Sequence, residues 1–152
     1  MNETMLYYAA NGSCRRDIKH IVIHCSATKL STNYSVERLK KDHLARGFSN
    51  IGYHFYITKD GMIHHGRDMA IAGAHVYGYN ANSIGICYEG GLDADGKPKD
   101  TRNNIQKQSI RDLLKVLKKR WPQAQILGHR DFPKVAKDCP CFNAKKEYED
   151  IQ

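Results

Sequence analysis

The sequence predicts a mixed α/β (α+β) fold, with a central mixed sheet of about five strands flanked by helices. Short apolar runs rich in β-branched residues alternate along the chain with segments of helical, amphipathic spacing. Strands and helices in such an order favour a sheet with helices packed on its faces. The 152 residues contain no repeat and no linker, so one domain is expected.

The predicted strands are short and bounded by turn residues. His20–Cys25 is apolar throughout its centre, which suits a strand that is covered on both faces. The turn Lys59–Gly61 joins two runs as a hairpin. In chain order the five strands are expected at His20–Cys25, Tyr53–Thr58, Met62–His65, Ser83–Tyr88 and Gln125–Gly128.

Two helices are predicted between these strands. Ser35 is a suitable N-cap for a helix that runs through Arg46, and Gly47 stands where a C-terminal glycine commonly ends a helix. A second amphipathic pattern runs from residue 104 to residue 121 and is stopped by Pro122. The polar, turn-rich segment Gly90–Asn103 is expected to be a surface loop.

The composition limits the classes of partner. A formal net charge of +8 favours polyanions such as nucleic acid or acidic wall polymers. The basic residues have no interleaved aromatic residues, so we expect no specific nucleic-acid binding.

No apolar run approaches about 18 residues, so no membrane span is expected. The N-terminus lacks a secretory pattern, which predicts a protein that is cytoplasmic as synthesised and reaches other compartments by release or by a route not encoded here.

Five cysteines cannot form a fully paired set of disulfides. Cys139 and Cys141 are separated by one residue and are poorly placed to bridge each other, so at least one of them needs another explanation. Cys25 and Cys87 lie in predicted strands and are most simply buried, unreactive thiols.

Three polar residues stand where an apolar core would not place them. His24 lies near the end of the first strand, His129 directly follows the last strand, and Cys139 lies in an irregular segment. Two imidazoles and one thiolate are ligands that zinc accepts, and three protein ligands leave a fourth position for water. Spacing alone is a weak indication, because a strand-end histidine is more often a hydrogen-bonded structural residue.

Several motifs resemble those of the N-acetylmuramoyl-L-alanine amidase family that includes T7-type phage lysozyme and the peptidoglycan recognition proteins. They occur in the family's order and cover roughly residues 18 to 148. The motifs are I-V-I-H-C-S-A-T (Ile21–Thr28), G-Y-H-F-Y-I (Gly52–Ile57), G-A-H-V-Y-G-Y-N-A-N-S-I-G-I (Gly73–Ile86), G-H-R-D-F (Gly128–Phe132) and K-D-C-P-C-F (Lys137–Phe142).

This resemblance implies a zinc enzyme that cuts the amide bond between the lactyl group of muramic acid and the first L-alanine of the stem peptide. It implies that a single zinc ion is bound by His24, His129 and Cys139. It further implies that residues 18–152 form one amidase domain preceded by an N-terminal extension, residues 1–17. Peptidoglycan or muropeptides are the expected partners, and a monomer is expected.

The resemblance also implies roles for four other residues. Lys137 would stabilise the negative charge that develops on the carbonyl oxygen, and Tyr53 would orient water or shuttle a proton. His75 and Asn80 would contact the substrate from the loop Gly73–Asn82. From the residues alone, Tyr53 is better explained as a strand aromatic and Lys137 as a solvated lysine, whereas His75 and Asn80 are equally loop residues that bond to backbone.

Three other functions stay open at this point. The first is a peptidoglycan-binding module without catalysis, against which Cys139 and Lys137 argue. The second is a cysteine hydrolase that uses Cys139 with His129 and leaves His24 unexplained. The third is a basic nucleic-acid binder.

Cys141 departs from the serine of many family members and could be an alternative ligand or a thiol next to the site. A phage lysin, a bacterial effector and a muropeptide-recycling enzyme all fit the sequence.

Overall fold

Five strands form the central sheet of the computed structural model, which describes residues 1–152, and this confirms the predicted fold class. The sheet order is β4-β3-β5-β1-β7, and a separate pair consists of β2 and β6. The helices are α1 (Glu3–Asn11), α2 (Val36–Ala45), α3 (Asn104–Arg120) and α4 (Ala144–Glu147). The strands are β1 (His20–Cys25), β2 (Thr28–Lys29), β3 (Phe55–Ile57), β4 (Ile63–His65), β5 (Ser83–Tyr88), β6 (Gly91–Leu92) and β7 (Gln125–Gly128).

Strand β1 lies between two parallel neighbours. It pairs with β5 on one side and β7 on the other, and β3 adds a further parallel strand beyond β5. Ile21, Val22 and Ile23 are fully buried, as expected for a parallel strand with helices on both faces. Only β4 runs antiparallel, as the hairpin partner of β3. The sheet is therefore mixed, as predicted.

Both predicted helices are present with the expected caps. The Ser35 hydroxyl accepts a hydrogen bond from the Arg38 amide at the start of α2, and Gly47 follows this helix at φ +94°. Helix α3 begins with a capping box, in which Asn103 and Gln106 satisfy each other's backbone amides. Helix α3 ends before Trp121, one residue from the predicted end.

The N-terminal residues form a helix that the sequence analysis did not predict. Helix α1 packs on α3 and β4. The Asn2 side chain donates to the Gly61 carbonyl and accepts from the Ile63 amide, and the Tyr8 hydroxyl accepts from the Met69 amide. The first residues are thus tied to the hairpin and to the segment after it. The division between residues 1–17 and 18–152 stays a prediction.

Two details of the predicted strands differ from the structure. The strand predicted at Tyr53–Thr58 is shorter, because only Phe55–Ile57 pairs in the ladder. The segment Gly90–Asn103, predicted as a loop, contains β6, whose Gly91 pairs with Thr28 of β2. A strand of two residues is too short to show an alternating pattern in the sequence, so β6 was not predicted.

No helix is long and apolar enough to cross a membrane.

His54 joins β5 to the irregular segment after β4. Its ring is fully buried, Nδ1 accepts from the Gly85 amide at 3.0 Å, and Nε2 bonds the Ile71 carbonyl at 2.9 Å. Both bonds require a neutral ring with the proton on Nε2. Burial lowers the pKa of His54 to about 4.

We predict that His54 makes the folded state acid-sensitive. Its pKa is about 6.5 when unfolded and lower when folded, so its contribution is complete above pH 6.5 and is lost as the pH falls toward 4. The loss amounts to about 3 kcal/mol. The free energy of unfolding of wild type and His54→Gln is measured in urea at several pH values between 7 and 4.5. The curve of wild type is expected to fall more steeply with decreasing pH than that of His54→Gln. Parallel pH profiles for the two proteins would contradict the assignment.

Candidate metal centre

His24, His129 and Cys139 converge at one edge of the central sheet. Their potential ligand atoms all lie within 4.8 Å of one another. His24 Nδ1 is 3.9 Å from Cys139 Sγ, and the ring centroids of His24 and His129 are 4.6 Å apart. His24 is buried, whereas His129 and Cys139 are half-buried. The three residues singled out in the sequence therefore form one cluster.

The register of two parallel strands places the histidines side by side. Ile23 of β1 is paired with Gly128, the last residue of β7, so the next residue in each segment is a histidine at the same end of the strands. The chain turns into a 3₁₀ helix immediately after β7, at His129–Asp131. The Asp131 carboxylate accepts from the Gly128 amide at 2.8 Å and fixes this turn.

Cys139 reaches the cluster because Gly128 has no side chain. A Cβ atom at Gly128 would lie 2.6 Å from Cδ of Pro140, so any larger residue would push the Cys139 segment away. The Tyr88 hydroxyl donates to the Pro140 carbonyl at 2.7 Å, and the Cys25 amide donates to Cys139 Sγ at 3.2 Å. The thiol is thus held by the same strands that carry the histidines.

His75 supports the cluster from behind His24. His24 Nε2 is 2.8 Å from His75 Nδ1, and His75 Nε2 is 3.1 Å from the Ser83 hydroxyl. Gly85 and Gly73 make room for this ring, since a Cβ at either position would lie 2.7–2.8 Å from its carbon atoms. Both nitrogens of His75 are therefore occupied inside the protein, which favours a positioning role over direct contact with substrate.

Asn80 shapes the loop that carries His75. Its side-chain oxygen accepts from the amides of His75 and Val76, both at 2.9 Å. The Arg16 guanidinium donates to the carbonyls of Asn80 and Ser83. The sequence analysis gave Asn80 two possible roles, contact with substrate or hydrogen bonding to backbone, and its side-chain oxygen bonds to backbone. Direct contact of Asn80 with substrate stays a prediction.

A cleft of about 270 Å³ opens over the cluster. Tyr53 lines it beside His24, with ring centroids 5.0 Å apart, and the exposed Lys137 lines it from the Cys139 segment. The wall of the cleft also includes Arg46 and Phe48, whose side chains stack with the guanidinium carbon 4.9 Å from the ring centroid. Both predicted catalytic side chains therefore face the same space as the cluster.

The surroundings keep the two histidines neutral. Burial lowers the pKa of His24 well below its usual value, with smaller effects from His75, His129 and Lys137. Burial also lowers the pKa of His129, and Lys137 adds to the effect. Burial raises the pKa of Tyr53 well above its usual value, and the neighbouring thiols add a smaller effect in the same direction. The imidazoles thus keep free lone pairs, and Tyr53 keeps its proton.

This set of donors suits zinc. Two neutral imidazoles and one thiol within a small sphere match a catalytic zinc site, in which three protein ligands leave one position open.

Cys141 is not part of the cluster, and its Sγ donates to the Gly91 carbonyl at 3.4 Å. Burial raises the pKa of Cys141 to about 12, so this thiol stays protonated.

Sequence reasoning identified the cluster but not the contacts that orient it. The hydrogen bond from His24 to His75 joins residues 51 positions apart in the chain, and His75 then bonds Ser83 at the start of β5. The parallel pairing of β1 with β5 brings these residues together. The glycines Gly73 and Gly85 are the one local signal, since each marks a close approach.

Comparisons with known proteins agree with the geometry. The family model described as N-acetylmuramoyl-L-alanine amidase matches residues 15–142. The endolysin of Escherichia phage T7 is 39% identical over 135 residues, which cover 89% of this chain and 88% of that protein.

Two solved structures share the fold. The N-acetylmuramoyl-L-alanine amidase LysC from Clostridium intestinale URNW superposes with a TM-score of 0.74 and 28% identity, covering 94% of this chain and 93% of that one. Drosophila PGRP-LB superposes with a TM-score of 0.70 and 27% identity, covering 90% and 82%. The similarity therefore extends over nearly the whole chain.

Proposed function

The chain belongs to the N-acetylmuramoyl-L-alanine amidase family, and we propose that it hydrolyses peptidoglycan with a zinc ion bound by His24, His129 and Cys139. Membership confirms the resemblance found in the sequence motifs, and the activity of the family is that of a peptidoglycan amidase. The zinc dependence rests on one observation above all others. Two neutral imidazoles and a thiol from three separate segments converge within 4.8 Å inside a cleft.

The reaction adds water across the amide between the lactyl group and L-alanine. As water adds to the carbonyl carbon, negative charge develops on the carbonyl oxygen, and the departing amine then takes up a proton. When bound, zinc supplies a Lewis acid and lowers the pKa of bound water toward about 7. The chain's own residues must stabilise the developing charge and move the proton.

Lys137 and Tyr53 fit these two tasks. The Lys137 side chain lines the cleft from its exposed edge and places a positive charge beside the cluster. Such a charge stabilises an oxyanion that develops within its reach. Tyr53 lies against His24 and keeps its proton because burial raises its pKa. Its hydroxyl can therefore donate a hydrogen bond to water or pass a proton to the leaving nitrogen.

His75 fixes the orientation of His24 in this proposal. If His24 uses Nδ1, which faces Cys139, its Nε2–H must donate to His75 Nδ1. His75 is then the tautomer with its proton on Nε2, which donates to Ser83. Burial lowers the pKa of His75 well below its usual value and preserves this neutral acceptor. We therefore assign His75 as a positioning residue.

The setting of a phage lysin fits best among those considered. The relatives named endolysin span nearly the same length as this chain. A net charge of +8 favours adhesion to anionic wall polymers at modest ionic strength. Action on peptidoglycan or muropeptides follows from the family, and a monomer stays a prediction.

A cysteine hydrolase is the second candidate. The proximity of Cys139 and His129 favours it, since both lie in the same cluster. The buried His24 next to Cys139 has no task in that mechanism, however, and the Cys25 amide already bonds the thiol. Loss of turnover with a chelator, and resistance of the metal-loaded enzyme to iodoacetamide, distinguish the zinc enzyme from the thiol enzyme.

We predict that Cys139→Ala and His24→Ala each lose zinc and turnover while remaining folded. A sizeable core surrounds the site, so folding does not depend on the metal. Metal content by plasma mass spectrometry, circular dichroism and the release of stem peptides that begin with L-alanine provide the measurements. Cys14→Ser, which changes a thiol outside the cluster, serves as the control. Full activity in either alanine variant would show that the ligand assignment is wrong.

Lys137→Ala is expected to keep zinc and to lose turnover by about 10²–10³-fold, the usual effect of removing one oxyanion-stabilising group. The nearby Lys134 lies in the same segment and outside the cleft, so Lys134→Ala is a matched control. Turnover of purified peptidoglycan and metal content are measured for both proteins. Wild-type turnover in Lys137→Ala would remove this residue from the mechanism.

His75→Ala is expected to weaken zinc binding by about 10–100-fold, as for other residues that orient a metal-bound histidine. His75→Asn retains an acceptor near the position of Nδ1 and should recover part of the affinity. Competition with a chromophoric chelator gives the affinity of each variant. If zinc affinity is unchanged in both variants and only the KM for muropeptide rises, the substrate-contact assignment from the sequence is the correct one.

A further inference from the structure

We propose that Cys25 and Cys141 are a redox-sensitive pair whose oxidation to a disulfide disrupts the metal centre beside them. The mechanism that we assign to the site uses neither thiol. Cys25 directly follows His24 in the chain, and Cys141 stands two residues after Cys139. A bond between them would therefore join the two segments that carry two of the three metal ligands.

The two sulfur atoms already lie in contact. Cys25 Sγ is 3.9 Å from Cys141 Sγ, and both pack against Gly91. A Cβ atom at Gly91 would lie 2.6 Å from Cys25 Sγ, so the glycine is what leaves room for the pair. Cys141 has φ +72°, a left-handed conformation that is unfavourable for residues other than glycine. The surrounding structure thus holds Cys141 against Cys25.

A small oxidant can reach the pair from a second cavity. This cavity, of about 240 Å³, is lined by both thiols and by Leu92 and Pro98 on the side of β6. Cys141 is half-buried, whereas Cys25 is only 6% exposed. Lys137 and Asp138 both line this cavity, so its edge carries one charge of each sign. A small disulfide such as oxidised glutathione is the oxidant that we use to test the pair.

The reaction is thiol–disulfide exchange in two steps. The Cys141 thiol is mostly protonated, so it first gives its proton to solvent; the thiolate then attacks the small disulfide, which forms a mixed disulfide and releases one small thiol. The Cys25 sulfur then attacks the Cys141 sulfur, which forms the protein disulfide and releases the second small thiol. In the net reaction the two protein protons pass to the two released thiols, and two electrons pass to the oxidant. Because both thiols are largely enclosed, the exchange should take minutes to hours.

Formation of the bond requires the two sulfur atoms to move by more than metal–ligand distances tolerate. The sulfurs must approach from 3.9 Å to about 2.0 Å. Metal–ligand distances tolerate deviations of only about 0.2 Å. The Cys25 amide also holds Cys139 Sγ, so a shift of Cys25 pulls on a ligand directly. Oxidation should therefore lower zinc content and turnover together, and a reductant should restore both.

The test treats zinc-loaded wild type with oxidised glutathione under anaerobic conditions. Mass spectrometry of unreduced tryptic peptides reports the bond, which should join residues 20–29 to residues 138–145. Because Cys139 shares the second peptide, fragmentation before Pro140 must place the bond on Cys141. Zinc content and turnover are measured on the same samples and are expected to fall by about tenfold or more, since the ligands no longer fit the ion. Cys141→Ser should keep zinc and turnover throughout, and Cys14→Ser should behave as wild type.

The outcomes separate this inference from the proposed function on which its consequence rests. Absence of the cross-linked peptide in a zinc-loaded, active enzyme would overturn the pairing. A cross-linked protein that keeps its zinc and turnover would overturn the coupling to the metal centre. If reduced wild type has neither zinc nor activity, the proposed function fails, while the mass spectrum still decides whether the disulfide forms.

Discussion

The parallel pairing of β1 with β5 and β7 is the constraint on which the rest of the site depends. A shift of one residue in the pairing with β7 would separate His24 from His129 and turn buried side chains to the opposite face. The pairing is specified by the apolar run Ile21–Ile23, which is fully buried between two parallel neighbours. The same run that provides the core of the sheet therefore also sets the spacing of the proposed ligands.

The sequence was sufficient for the elements that have their own periodicity or caps. Strand β1 and helix α3 match the prediction, because a buried strand and an amphipathic helix leave regular patterns. Helix α1 was missed, since the side chain of its N-cap residue, Asn2, donates to the Gly61 carbonyl and makes no local cap. The cluster of ligands was recognised from residue types and motifs, whereas the hydrogen bond between His24 and His75 depends on tertiary structure alone.

The loop that carries His75 shows how an irregular segment can be rigid enough to orient a ligand. Its carbonyl groups have no ladder or helix to bond with, and buried polar groups without partners are costly. Two arginines supply donors to this loop and to the segments beside it. Arg16 bonds the carbonyls of Met69, Asn80 and Ser83, and Arg67 bonds those of Asn50, Ile51 and Ala72. Each planar guanidinium satisfies several acceptors at once, which a lysine could not do with the same fixed geometry. These backbone bonds thus contribute to the orientation of His75.

Burial of His24 has two consequences that act in the same direction. Desolvation disfavours the charged ring, so His24 remains a neutral ligand at pH values where an exposed histidine would be partly protonated. The same burial forces each ring nitrogen to find a partner, because an unpaired nitrogen in the interior is costly. His75 meets this need for Nε2, and Nδ1 faces Cys139 Sγ at 3.9 Å, where the proposed cation would bind. A buried neutral histidine with one nitrogen bonded and the other facing a thiol therefore has the orientation that the proposed metal ligand requires.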